Sequence, residues 1–410
     1  MFITKEKGII NSGHMCHKVG HLLNLIWPHF TTTPSIGQNI YPPRQNKMNK
    51  NKSTVNTMLE DEKVKAIRLA ITLKGNQLRQ QHPWLNFQNA LGLSLFLLSS
   101  ICILLIAWFY INNLFPVYFA IPAIALCGSV LHEIEHDLIH WQYFKHNKPV
   151  HHLMMFLVWA FRPTSLNPWI RRRIHLLHHK TSGTASDIEE RGIGNGQSFS
   201  SLRWLIMLDT FTGNLIKIIV SPSHEKKGLH ILKILAANFP FPIVCAICWY
   251  SFLAIHLVNS INIFAGLDVF GFGLWFELWF EQQSSYISLL NTVVVIWVAP
   301  SYLRSFCLNF ISSNMHYYGD VQTLRQQTQV LNAWYFWPFQ LFCFNFGSTH
   351  SIHHFVVGEP FYIRLLTVSA AHDVMRKQGV RFNDLGTFTR KNRYQQQKQQ
   401  TNTLELNDEK

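Results

Sequence analysis

Charged residues are scarce in this chain. Of its 410 residues, 14% are Asp, Glu, Lys or Arg and 48% are hydrophobic, whereas an ordinary soluble domain has about 25% charged residues. Lys and Arg are absent from 80–144 and from 234–303, which are also the most apolar stretches. The net charge of +14 is therefore carried outside them. This distribution is typical of a membrane protein and argues against nucleic-acid binding, which the charge alone would allow.

The sequence also lacks the signals of a secreted, disulfide-linked protein. Its seven cysteines are an odd number and are scattered through apolar sequence, which argues against a disulfide framework. Cys245 and Cys248 form a CxxC pair among Val, Ile, Ala and Trp, where burial leaves thiols inert. No charged-then-apolar signal peptide is expected, since the first long apolar run begins near Leu91.

Four apolar segments are predicted to cross the membrane. Residues 91–111 are uncharged and long enough to span about 30 Å of hydrocarbon, and 115–131 fit a returning helix. Residues 239–258 and 286–303 form a second pair. The predicted fold is therefore all-α and integral to the membrane, with about four transmembrane helices in two hairpins.

The segments that flank these spans carry the positive charge. All 36 Lys and Arg lie within 1–85, 145–233 and 304–410. Because basic flanking segments stay on the cytosolic side, both termini and residues 132–238 are predicted to be cytosolic, forming a helical cap that carries most of the histidines. The protein is expected to be a multi-pass protein of a bacterial inner membrane or of the endoplasmic reticulum.

Three regions are predicted along the chain. Residues 1–57 are polar and irregular, and we expect a disordered N-terminal extension. Residues 58–387 form the membrane domain, which begins with an amphipathic helix over 58–82. Residues 388–410 are Gln-rich and charged, and we expect a disordered C-terminal tail.

Histidines cluster in the predicted cytosolic segments, in HEIEHDLIH, HLLHH and HSIHH, with one isolated histidine in NMHYYG. Residues three or four apart lie on one face of a helix, so the histidines of each box can converge on a metal ion. Neutral imidazole suits iron, zinc or copper, whereas magnesium or calcium would favour carboxylates. With 22 histidines in the chain, HxxHH is expected by chance roughly 0.06 times, so two copies indicate function. The predicted metal ligands are His132, His136, His175, His178, His179, His316, His350, His353 and His354.

Acidic residues beside the boxes are expected to orient ligand histidines by accepting the second ring N–H. They are Glu133, Glu135, Asp137 and Asp187. His140 lies one turn beyond the first box, and three roles stay open for it: metal ligand, orienting partner or surface residue.

The first box also fits a different class of enzyme. HEIEH matches the HExxH pattern of zinc metallopeptidases, in which Glu133 would be the general base. An intramembrane peptidase of this kind leaves the two HxxHH groups unexplained, but it stays open as an alternative. A zinc transporter is less compatible, because its ligands would lie near the bilayer midplane instead of at the ends of spans.

The order and spacing of the boxes, His132-xxx-His136, His175-xx-His178-His179 and His350-xx-His353-His354, resemble the membrane fatty acid desaturase and hydroxylase superfamily. The resemblance covers roughly residues 90–365, and His316 is similar to the additional histidine of that superfamily. HHKTSGTASDIEER resembles the continuation of the second box in bacterial alkane hydroxylases, with Asp187 as a structural or orienting acid. Stearoyl-type desaturases carry a wider first box and an Asn where this chain has Ser312, so a relation to hydroxylases also stays open.

The resemblance implies a histidine-bound pair of iron ions that uses O2 to desaturate an acyl chain of a fatty acid or lipid, or to hydroxylate an alkyl or lipid substrate. We find no haem-attachment CxxCH, no cysteine quartet for an iron–sulfur cluster and no GxGxxG after a strand. A separate electron-transfer protein of cytochrome, ferredoxin or rubredoxin type is therefore expected. The basic residues Arg171, Arg172 and Arg173 could dock an acidic carrier or attract anionic membrane lipids.

Overall fold

The computed structural model describes residues 50–221, 227–265 and 282–395, with side chains for 59–221, 227–261 and 282–395. Within these residues the fold is all-helical, with two isolated bridges and no strand. Four stretches are long and apolar enough to cross a membrane, as the sequence predicted: Gln88–Ile111 (α2), Val117–Ile139 (α3), Phe241–Ile261 within α10 (Phe241–Ala265), and Ser284–Met315. The other helices are α1 (Lys50–Gln81), α4 (Lys148–Phe161), α5 (Pro168–Thr181), α6 (Ile188–Gly192), α7 (Ser201–Leu208), α8 (Thr210–Val220), α9 (Lys227–Asn238), α13 (Trp337–Phe342), α14 (Phe346–Phe355), α15 (Phe361–Leu366) and α16 (Val368–Lys377).

The fourth span is longer than predicted and contains a π-helical turn. It consists of α11 (Ser284–Val293), the π turn Val294–Val298 and α12 (Ala299–Met315). Pro300 has no N–H to donate to the preceding turn, and a π turn is a usual way for a long helix to absorb such a break. The helix then continues past the predicted end at residue 303. Arg304 is buried inside it, 2% exposed, and is not a flanking surface charge.

Helix α3 is at the centre of the fold, in contact with α2, α4, α5, α12 and α13. Gln88 at the start of α2 donates to the backbone oxygen of Gln142, just beyond the end of α3, at 2.8 Å. A Cβ at Gly92 would lie 2.5 Å from the ring of Tyr143, so glycine is what lets α2 approach this closely. The tyrosine hydroxyl donates to Asp137 at 2.9 Å. The first span is thus packed directly against the residues that follow the first histidine box.

The ends of the predicted membrane domain differ from the sequence-based boundaries. Helix α1 begins at Lys50, eight residues before the predicted amphipathic helix, and residues 1–49 lie outside the described part of the chain. At the other end, residues 388–395 are bonded to the body of the protein: the Asn392 side chain donates to the backbone oxygens of Ser313 and His316 at 2.6 and 3.1 Å. Residues 396–410 of the predicted tail lie outside the described residues.

Candidate metal centre

The histidines of the candidate site lie on α3, α5 and α14 and just beyond the ends of α3 and α12. His136 lies in the last turn of α3, and His140 is its C-terminal cap. His316 caps the C-terminus of α12. The second and third boxes lie on α5 and α14. Asn167 and Pro168 begin α5, where the Asn167 side chain accepts from the backbone N–H of Trp169 and of Ile170, so the helix that carries HLLHH has a well-defined start.

One set of side chains, the first histidine group, consists of His136, His140, His175 and His353, whose ligand atoms all lie within 4.8 Å of one another. The Nε2 atom of His140 lies 3.0 Å from that of His175 and 3.1 Å from that of His353. His179 adjoins this group, with its Nε2 atom 3.2 Å from that of His175 and 3.0 Å from that of His353. Two residues of the second box and one of the third therefore meet two residues of HEIEHDLIH.

The second histidine group consists of His178, His316, His350 and His354, again with all ligand atoms within 4.8 Å of one another. The Nε2 atom of His354 lies 3.4 Å from those of His178 and His316 and 3.2 Å from that of His350. All four side chains are buried. The two groups are neighbours, since the ring centroids of His179 and His354 are 5.1 Å apart.

Three carboxylates that follow the second box lie close to the Nδ1 atoms of three histidines. Asp187 Oδ2 lies 2.9 Å from Nδ1 of His178, and Glu189 Oε2 lies 2.7 Å from Nδ1 of His175. Glu190 Oε2 lies 3.2 Å from Nδ1 of His316, which also contacts the backbone oxygen of Ser312 at 2.9 Å. All three carboxylates lie at the start of α6. The sequence analysis predicted an orienting role for Asp187 but not for Glu189 and Glu190, which follow it closely in the segment DIEER.

Because the oxygens of Asp187, Glu189 and Ser312 accept hydrogen bonds, the Nδ1 atoms of the three histidines are the donors. Each of these rings, when neutral, therefore has its lone pair on Nε2. His354 is in the same state, since its Nδ1 atom lies 3.3 Å from the side-chain oxygen of Gln327. In the second group the Nε2 atom of His354 therefore lies 3.4 Å from the Nε2 atoms of His178 and His316. Lone pairs at this distance repel each other unless a cation lies between them.

The donor set fits a metal ion. Imidazole nitrogens bind ions such as zinc at about 2.0–2.1 Å, which places two ligands of one ion roughly 2.9–3.4 Å apart at angles between octahedral and tetrahedral. The closest Nε2 atoms within each group are 3.0–3.4 Å apart. Both groups are therefore compatible with a bound metal ion, and their ligands are imidazoles alone among the described residues.

Burial keeps most of these imidazoles neutral. Loss of water, together with repulsion from neighbouring imidazoles, holds the pKa well below the ordinary value for His140, His179, His350, His353 and His354. For His178, burial alone would lower the pKa, but the charge and hydrogen bond of Asp187 outweigh it and raise the pKa to about 9, so a metal ion that binds there would displace the proton of Nε2. Neutral imidazole is the form that binds metals.

The structure does not bring His132 into either group. Its Nδ1 atom faces Nη2 of Arg162 at 3.0 Å, and its ring centroid is 6.5 Å from that of His136. Since arginine can only donate, a neutral His132 carries its proton on Nε2 and has no lone pair there for a metal. His136 has a longer contact, 3.4 Å, to Arg364, whose same nitrogen lies closer to Asp137, at 2.9 Å.

The acidic residues of the first box contact arginines in place of ligand histidines. Glu135 pairs with Arg162 and Arg171. Glu133 accepts from Arg364 at 3.4 Å. In HExxH, His132 and His136 do not belong to the same histidine group, and Glu133 is paired with Arg364. The geometry therefore does not support the peptidase alternative.

Comparison with known proteins identifies one family. A family model with the description fatty acid desaturase matches residues 112–386, which include every histidine of both groups. No curated protein and no solved structure matches the chain.

Proposed function

The chain belongs to the fatty acid desaturase family, and from that premise we propose that it desaturates an acyl chain of a fatty acid or lipid, using O2 at a histidine-bound di-iron centre. The observation that carries the proposal is the convergence of imidazole nitrogens in two adjacent groups of four histidines, with His179 as a fifth member of the first. Two groups with complete donor sets favour two ions.

Iron fits the imidazole donors and the oxidative chemistry of the family. Two irons held in this way supply the reduction of O2 to an oxidant strong enough to take hydrogen from an unactivated methylene. The residues of the chain act around that chemistry. Asp187 and Glu189 keep protons on the Nδ1 atoms of His178 and His175 and fix these rings, since such partners orient metal-binding histidines.

The second group is the more enclosed of the two, since all four of its side chains are buried. Such a site excludes bulk water, and the distance from a bound substrate carbon to the centre would then decide the product. Removal of a second hydrogen gives an alkene, whereas return of one oxygen gives an alcohol. The position of the substrate decides between them, and the family favours the alkene.

Product mass tests the reaction. Lipids of cells that express the protein, compared with cells that do not, should contain acyl chains lighter by two hydrogens, and the change should require O2. Products heavier by one oxygen would instead establish a hydroxylase.

Metal content tests the centre. The purified wild-type protein should contain about two irons per chain, the number that two complete donor groups hold, and His354→Ala should lose iron and activity. His82→Ala, an exposed histidine outside both groups, is the matched control and should retain both. A protein that holds zinc alone, or a His354→Ala variant with full activity, would contradict the proposal.

We further propose that both termini and the histidine-bearing helices face the cytosol, in a bacterial inner membrane or the endoplasmic reticulum, and that a separate cytochrome, ferredoxin or rubredoxin supplies electrons. The confinement of all Lys and Arg to 1–85, 145–233 and 304–410 supports this orientation. A fluorescent protein fused after Lys410 should be fluorescent inside the cell, and an alkaline phosphatase fused there should be inactive. The opposite pair of results would reverse the orientation.

A further inference from the structure

We propose that a surface beside the first histidine group docks an acidic one-electron carrier protein and receives its electrons through Trp141. We call it the Trp141 surface, and it consists of Trp141, Lys148, His152, Arg172, Arg173 and Lys180. The inference rests on the proposed oxidative function and names the place and the chemistry of the redox partner.

The first histidine group is the one that reaches the surface. Of the nine histidines in or adjoining the two groups, His140 and His179 are partly exposed and the other seven are buried. His140 and His179 both approach His353, at 3.1 and 3.0 Å between Nε2 atoms. Electron tunnelling weakens steeply with distance, so a carrier is best placed where ligands of the centre lie nearest the solvent.

Trp141 directly follows His140 and occupies an unusual backbone position. Its φ is +57°, a left-handed conformation just after the end of α3 where glycine is the usual residue. A bulky residue kept in such a conformation points to a role for its side chain. The indole is partly exposed and joined to His140 by covalent bonds, which conduct electrons better than gaps do.

The indole is held in a fixed position. It stacks on the ring of His151, with centroids 4.1 Å apart and planes 14° from parallel. The guanidinium carbon of Arg172 lies 4.2 Å from the centroid of the same ring. Arg172 is in turn fixed by a 2.7 Å hydrogen bond to the backbone oxygen of Leu138. Fixed geometry reduces the reorganisation that accompanies electron transfer.

The charge around Trp141 is positive. Arg173 and Lys180 are exposed on one face of α5, seven residues apart, and Lys148 lies exposed near His152. Within the part of the chain that the structure describes, no carboxylate forms an ion pair with Lys148, Arg172, Arg173 or Lys180, whereas Arg171 pairs with Glu135 and Glu189. The three consecutive arginines therefore differ: Arg171 is held in ion pairs, Arg172 packs over the Trp141 ring, and Arg173 is exposed.

An acidic protein surface complements this charge and would be steered towards it. Each desaturation uses one O2, two electrons from two reduced carriers, two protons from solvent and two hydrogens from the substrate. The products are two water molecules and one double bond, and both carriers leave oxidised by one electron.

Charge reversal tests the surface. Arg173→Glu/Lys180→Glu is compared with Lys65→Glu/Lys377→Glu, which makes the same charge change at exposed sites on α1 and α16. The holoenzyme is placed in nanodiscs of phosphatidylcholine, with an acidic plant-type ferredoxin as the probe. Binding of the oxidised ferredoxin should weaken about tenfold in the first variant, as expected for a steered charged interface, and remain at the wild-type level in the second. Turnover driven by dithionite, which needs no docking, should be unchanged in both.

Trp141 is tested separately, as an entry residue. Trp141→Leu should bind ferredoxin and iron normally but accept electrons from the bound ferredoxin more slowly than the wild type. Trp141→Phe should restore much of the rate.

Equal ferredoxin binding in both double variants would overturn the docking inference. So would a difference seen only when the nanodiscs contain anionic phosphatidylglycerol, because the surface would then attract lipid. If the wild-type protein yields no oxidised lipid even with dithionite, the proposed function itself fails, while the binding comparison still decides the docking surface.

Discussion

The imidazole of His178 donates a 2.9 Å hydrogen bond from Nδ1 to Oδ2 of Asp187, and both side chains are buried. Asp187 also caps the N-terminus of α6, where its other oxygen accepts from the backbone N–H of Glu190 at 3.2 Å. Asp187 thus stabilises the start of α6 and orients the ring of His178. The start of α6 is thereby tied to the second histidine group.

Asp187→Asn should weaken metal binding in the second group. An amide can present its N–H₂ to Nδ1, which would move the imidazole proton to Nε2 and remove the lone pair from the group. Loss of such an orienting partner typically costs 10–100-fold, so we expect a loss of about that size in metal affinity. Metal retained after dialysis against graded chelator measures it. Asp373→Asn, on the exposed face of α16, is the control, and equal retention in the two variants would refute the role of Asp187.

The segment HEIEHDLIH contains two HxxxH pairs, His132/His136 and His136/His140. Replacing His140 or His132 by Asn should have opposite effects on metal content. His140→Asn removes an Nε2 atom from the first group and should lower metal content. His132→Asn keeps an oxygen near the position of Nδ1 as an acceptor for Arg162 and should retain metal. Iron per chain in the two purified variants checks this. A larger loss in His132→Asn would mean that His132 binds metal after all.

Gly92→Ala should destabilise the protein. The added Cβ would lie 2.5 Å from the Tyr143 ring, which its bond to Asp137 holds in place. Overpacking of this kind costs about 1–3 kcal/mol, more than the roughly 1 kcal/mol by which alanine favours a helix over glycine. Thermal unfolding in detergent should show a lower Tm. Gly192→Ala meets no atom within 4 Å and is the control; a similar drop in both would remove the packing explanation.

The ion pair between Glu60 on α1 and Arg325 should stabilise the fold less at acidic pH than at neutral pH. Burial alone would raise the pKa of Glu60, but hydrogen bonds and charge from Arg325 and Lys63 outweigh it and lower the pKa below 4.5. A lowered pKa means that the pair stabilises the fold fully above pH 4.5 and loses this effect as the pH falls below that value. The Tm difference between wild type and Glu60→Gln should therefore be largest near neutral pH and shrink in acid. A difference that grows in acid would have the wrong sign.

Local features of the sequence determined the fold class, the four apolar helices long enough to span a membrane and the histidine boxes of the candidate metal centre. Uncharged runs of about 20 residues can satisfy their backbone only as helices in a membrane, whatever their neighbours are. The spacing of HLLHH and HSIHH likewise places histidines on one side of a helix, which is a property of the helix itself.

Only the tertiary structure decided which histidines meet. On α5, His178 and His179 are separated by roughly 100° around the helix axis. His179 therefore reaches the first group and His178 the second, although the sequence predicted that all three histidines of this box would converge.

The same holds for the first box and for the acids around it. His132 and His136 have the same spacing as His136 and His140, so sequence cannot choose between the pairs; the rotation of α3 against α5 and α14 does. Glu189 and Glu190 become partners of His175 and His316 only because α6 packs beside α5 and the end of α12. Periodicity fixes what each helix presents along its own surface, whereas contacts between helices depend on how distant segments pack.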